Sequence, residues 1–163
     1  MRSKKILFMT EAAIIAAIYV VLVFAFAPIS FPAIQARIAE ALTILPFFTP
    51  AAIPGVTIGC LLSNLLIGAD ILDVIFGTLA TLLGTMGSYL LRKNKFLVPL
   101  PPIIANALII PWVLRYAYGA PEAIPFLMLT VGIGEIIACG ILGTFLLLAL
   151  DKYKHIIFHY NKE

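Results

Sequence analysis

The chain has 163 residues, of which 63% are hydrophobic and only 12% charged, with a formal net charge of +3. Ordinary soluble domains are about half apolar and about a quarter charged. Composition therefore excludes a large soluble domain and points to a single integral membrane domain over residues 1–163, with 151–163 as a polar tail. The excess of Lys and Arg lies at the termini and in loops, so it reads as membrane topology and not as nucleic-acid binding.

Met1-Arg2-Ser3-Lys4-Lys5 precedes an apolar run that continues to Ala27. The start resembles a signal peptide. The run is long enough to cross a bilayer and no A-x-A-like cleavage site ends it at a typical distance, so a retained helix is expected from Ile6 to Ala27. It carries Ala12, Ala13, Ala16 and Ala17, two overlapping small-xxx-small pairs that let another helix come close. A loop with two prolines, Pro28 to Gln35, follows. The second helix is expected from Ala36 to Phe48. Thirteen residues rise only about 20 Å, short of the roughly 30 Å hydrocarbon core. Such a helix needs protein or a cavity at its ends. Pro46, Pro50 and Pro54 then shape a turn, with Pro54 in the first turn of the next helix.

A third helix is expected from Ala51 to Ile67, with Asn64 near its end, and a fourth from Ile71 to Leu91. Asp70 is placed to cap the fourth, with Asp73 in its first turn. Gly77, Thr81, Gly84 and Ser88 suit it to close packing. Arg92-Lys93-Asn94-Lys95 is a basic loop. A fifth helix, Ile103 to Tyr118, contains Asn106 and Pro111, and Pro111 deprives the Ala107 carbonyl of its helical donor. The sixth runs from Ala123 to Leu150 with Glu135 near its middle. The fold class is thus all-α, with six membrane-spanning helices. An even number of crossings puts both termini on one side, with all three clusters of Lys and Arg, and the positive-inside rule makes that side the cytoplasm. Arg37, Asn64, Asp70, Asp73, Arg115 and Tyr116 then fall in the outer half, which suggests a polar pocket opening outward. The inner half holds little charge besides Glu11.

Charges inside apolar helices are costly, roughly 2.5–3.5 kcal/mol each on insertion scales, and usually face a cavity or a partner. Glu135 is the strongest candidate ligand contact, its other reading being a structural partner for Arg37 or Asn106. Arg37 and Glu40, at i and i+3, either form an internal ion pair or read a ligand together. Asp73 is a further candidate, whereas Asp70 reads as a cap. Asn64 and Asn106 either recognise a polar ring or join helices. Trp112 and Tyr116 read as interface aromatics. Cys60 and Cys139 read as small packing residues without a disulfide. No Walker motif, H-E-x-x-H or G-x-S-x-G is present, so no catalytic residue, metal or cofactor is expected. His155 and His159 lie four apart in the tail without a neighbouring carboxylate.

T-E-A-A-I-I-A-A-I-Y-V (10–20), A-P-I-S-F (27–31), R-I-A-E-A-L-T-I-L-P-F-F-T-P-A-A-I-P-G (37–55), G-C-L-L-S-N (59–64), D-V-I-F-G-T-L-A-T-L-L (73–83), P-L-P-P (99–102) and L-T-V-G-I-G-E (129–135) occur in this order. Together they resemble the QueT family, substrate-binding S components of energy-coupling factor (ECF) transporters for queuosine precursors. The resemblance implies a multi-pass plasma-membrane subunit, not an enzyme, that binds a 7-deazaguanine (preQ0, preQ1 or queuine) from outside. It implies docking through Ala12, Ala13, Ala16 and Ala17 onto a transmembrane T component served by two ATPase subunits. A guanine-like edge offers adjacent N–H donors to a carboxylate, and Glu135 and Glu40 are the candidates for it, with Arg37, Asn64, Asp73 and Asn106 beside them. The alternatives are an S component for another vitamin-like heterocycle, a membrane enzyme acting on a lipid or isoprenoid, and a purely structural subunit.

Overall fold

The computed structural model describes residues 4–26 and 37–158. The proline loop Pro28 to Gln35 falls outside the described residues, as does His159. Among the described residues every regular element is helical: α1 (Lys4–Phe26), a 3-10 helix (Ile38–Phe47), α2 (Ala52–Leu66), α3 (Ile71–Leu90), α4 (Leu100–Tyr116), α5 (Ile124–Glu135), a π-helical segment (Ile136–Leu142), α6 (Gly143–Asp151) and the short α7 (Lys154–Ile157). Lys4–Phe26, Ile71–Leu90 and the continuous Ile124–Asp151 are long and apolar enough to cross a membrane. Their outward faces carry large apolar side chains such as Ile14, Val21, Leu83 and Phe145. Water would penalise that surface and hydrocarbon does not.

The second helix differs from expectation. It is 3-10 over ten residues with Pro46 inside it, and everything from Ala39 to Pro46 is buried. A 3-10 helix rises about 2.0 Å per residue against 1.5 Å for an α-helix. The same few residues therefore reach further through the interior. Runs this long are uncommon because the hydrogen bonds are poorer. Burial of Ala39–Pro46 keeps water from this backbone, so the internal bonds are kept. Side chains at i and i+3 eclipse in this geometry, which lines up Arg37, Glu40 and Thr43 along one edge.

The other elements pack around this strut at close range. α1 and α2 run in the same direction. A Cβ on Gly55 would lie 2.9 Å from the Ala12 carbonyl oxygen, and one on Gly59 would lie 2.7 Å from Tyr19 Cβ and 3.0 Å from the Ala16 carbonyl oxygen. Ala16 is buried in that seam, whereas Ala13 and Ala17 face outward. The four alanines, expected to form one docking face, are therefore split. Identical spacing gave them one role, but the glycines of α2 claim Ala12 and Ala16. α3 meets α4 as closely, at Gly84 and Pro102. Gly68 and Gly119 end α2 and α4 at φ 71° and 66°, a left-handed conformation that a side chain resists. The Asp70 cap forms as expected, its Oδ1 accepting from Leu72 N at 2.8 Å. Pro101 and Pro102 fall inside the first turn of α4, which starts earlier than expected.

Candidate functional site: a buried polar cluster

The 3-10 edge, the end of α2, the start of α3, the middle of α4 and the end of α5 converge on one place. Arg37 Nη2 pairs with Asp73 Oδ2 at 3.2 Å, and its Nη1 donates to Asn64 Oδ1 at 3.1 Å. The internal Arg37–Glu40 ion pair is thereby corrected: the guanidinium turns to Asp73. Glu40 Oε1 instead accepts from the Tyr19 hydroxyl at 2.5 Å. Tyr19 is fully buried, and a buried phenol needs such an acceptor. From outside the helices, Tyr118 donates to Asp73 Oδ2 at 2.9 Å and accepts from Asp70 N at 3.3 Å. Partial burial, with the Asp73 carboxylate beside it, raises the Tyr118 phenol above its ordinary pKa, so it remains a donor at neutral pH.

Glu135 stands at the junction of α5 and the π-helical segment. One wide turn there brings Cys139 Sγ to 3.1 Å from Glu135 Oε2 and 3.3 Å from the Glu40 carbonyl oxygen. Thr43 Oγ1 bonds the same carbonyl at 2.6 Å. Such π insertions are frequent at functional sites. Cys139 is thus a wall of the cluster, where packing alone was expected. Carboxylate atoms of Glu40 and Glu135 and the Cys139 sulfur lie within 4.8 Å of one another, close enough to hold a metal ion. Thr43 Oγ1 also lies 3.4 Å from the sulfur, and a metal there would require the thiolate.

All six expected ligand residues are therefore brought together, in two tiers. Arg37, Glu40, Asn106 and Glu135 line a small cavity with Gly77, Thr81, Ile110 and Val131. Asn64 and Asp73 lie behind Arg37 and hold it. The cavity measures about 20 Å³, room for about one water, so a bicyclic base enters only if the walls move apart. Glu40 Oε2, Asp73 Oδ1 and Asn106 Nδ2 are buried without a hydrogen bond. Each such atom costs about 1–3 kcal/mol. With three carboxyl groups and one guanidinium, the cluster has an excess of acceptors and of acidic groups.

Arg115 and Tyr116, expected on the pocket side, stay outside the cluster. Arg115 donates to the Ala120 carbonyl, and Tyr116 is exposed and stacked on Trp112 at 6.3 Å. Sequence reading missed Tyr19, Tyr118 and Cys139. A tyrosine inside an apolar helix was the one available signal for Tyr19, since its hydroxyl requires a partner.

Apolar helices wrapped around a buried polar cluster define a helical membrane protein with a polar interior. A family model described as QueT transporter matches residues 9–152, and the chain belongs to that family, one of transporters and not enzymes. It is similar to the Queuosine precursor transporter QueT of Lactococcus lactis subsp. cremoris (strain MG1363), with 40% identity over 84 residues, 50% of this chain and 49% of that protein. The match thus spans about half the length of that relative. No solved structure matches the chain.

Proposed function

We propose that the chain is the substrate-binding subunit of an ECF-type transporter and captures a queuosine precursor from outside the cell. In this reading it crosses the plasma membrane six times with both termini in the cytoplasm, the three shorter apolar helices completing the count. The single observation that carries the binding role is the buried cluster at Glu135, with one unpartnered acceptor atom on Glu40 and an unpartnered donor on Asn106. A 7-deazaguanine supplies the complement: adjacent N–H donors for a carboxylate and a ring carbonyl for an amide. The excess of acidic groups favours precursors that carry an amine, preQ1 or queuine, over the nitrile preQ0.

Energy would come from a T component and two ATPase subunits. Ala13 and Ala17, which face outward from α1, are the part of the alanine pattern available to the T component. Thermal-shift measurements on the purified protein with preQ1, queuine, preQ0, guanine and a vitamin panel test this. Stabilisation by the 7-deazaguanines, strongest for the amines, is expected. Stabilisation by a vitamin alone would overturn the substrate, and equal response to preQ0 and preQ1 would overturn the charge argument.

A further inference from the structure

At the opposite end from the buried cluster lies a larger, open cavity of about 380 Å³, within the range of small-molecule sites. It is lined by Phe47, Phe48, Arg92, Lys93, Lys154, His155 and Phe158. Three separate parts of the chain build it: the end of the 3-10 helix, the loop after α3 and the segment after α6. Every ionisable side chain in the lining is basic. Two features hold it in shape. The Phe48 and Phe158 rings stack 5.0 Å apart and 3° from parallel, and the Arg92 guanidinium sits 3.8 Å from the Tyr89 ring centroid. The loop behind is tied down by Ser88 Oγ donating to the Val98 carbonyl at 2.7 Å. The nearby acid Asp151 is engaged by Lys154 at 2.9 Å, and the sequence rule for orientation puts this end in the cytoplasm.

We infer that this cavity binds the phosphate of an anionic phospholipid from the cytoplasmic leaflet. Arg92 and Lys93 supply charge and donors for the phosphodiester, Lys154 and His155 close the other side, and the phenylalanines meet the apolar glycerol region. Basic pockets between membrane helices on the cytoplasmic side bind such headgroups. A soluble phosphate would use the same cations, but the membrane supplies the lipid beside the cavity at high local concentration. The aromatic half of the lining also has no use for a bare phosphate. The site is separate from the precursor cluster and does not depend on its substrate.

The test uses the whole chain in nanodiscs of phosphatidylcholine with or without phosphatidylglycerol. Phosphatidylglycerol should raise the melting temperature and be retained in native mass spectra. Arg92→Gln with Lys93→Gln should weaken retention by roughly tenfold or more, while Lys152→Gln, outside the lining, should not. In the unaltered protein, phosphatidylglycerol should slow amine labelling of Lys93 and Lys154 relative to Lys152. Equal retention by the double variant, or unchanged labelling, would overturn the proposal. Inorganic phosphate that stabilises as well as the lipid would assign the cavity to a soluble anion and overturn it too. So would loss of T-component association in the double variant with lipid retention intact, which would make the cavity a protein contact.

Discussion

The polar cluster around Glu135 and the outward stripe of α1 are made of opposite materials. In the cluster each group has its position set by others: Asp73 and Asn64 aim Arg37, Tyr19 holds Glu40, and Cys139 reaches Glu135 across a π turn. On the stripe, Ala13 and Ala17 offer no polar group at all and are defined by lack of bulk. One region can recognise chemistry. The other can only admit a neighbouring surface. Binding and coupling should therefore be separable by mutation, with Ala12 and Ala16 belonging to neither role because α2 already occupies them.

The largest expected effect comes from breaking that internal seam. Ala16→Trp has no space against Gly59 and Tyr19, where overpacking costs about 1–3 kcal/mol and bulk this large exceeds it. Yield of monodisperse protein in size-exclusion chromatography should collapse. Normal yield would mean that α1 can separate from α2 without loss of the fold. Next, Glu135→Gln removes an acceptor for a ligand cation or N–H pair and should weaken binding by roughly 10- to 100-fold, from about 1.5–3 kcal/mol. Tyr19→Phe leaves Glu40 Oε1 without its donor. A loss of about 1–3 kcal/mol is expected, read as a lower melting temperature together with weaker binding. Cys139→Ser keeps a donor near Glu135 and should shift stability by less than about 1 kcal/mol. A larger shift would show that the sulfur's size, not its hydrogen bond, sets the wall. The smallest effect on fold and affinity is expected from Ala13→Trp. It should leave melting temperature and Kd unchanged yet abolish uptake in cells. Uptake at the normal rate would remove the outward stripe from coupling.

Much of this arrangement was legible before any coordinates, for identifiable reasons. Prolines, glycines and Asp70 punctuate the chain, so most helix ends fall within a few residues of expectation. Polar side chains in an apolar run have few physical uses, and Arg37, Glu40, Asn64, Asp73, Asn106 and Glu135 meet in space accordingly. What was hidden depends on contacts between distant segments. Nothing local marks residues 38–47 as 3-10, because burial of Ala39–Pro46, and not propensity, holds that geometry. The π turn after Glu135 adds one residue to a helix whose sequence reads as continuous. The two alanine pairs share one spacing, and only Gly55 and Gly59 of α2 decide which pair is covered. Arg37 prefers Asp73 to the nearer-in-sequence Glu40 because α3 starts beside it.

The central claim is that the buried cluster binds an amine-bearing 7-deazaguanine through Glu135. Calorimetric titration of preQ1 into the purified chain and into Glu135→Gln tests it most directly. Saturable binding to the unaltered chain, weakened at least roughly tenfold in the variant while its melting temperature is retained, is the predicted result. Equal affinity in the two proteins would contradict it.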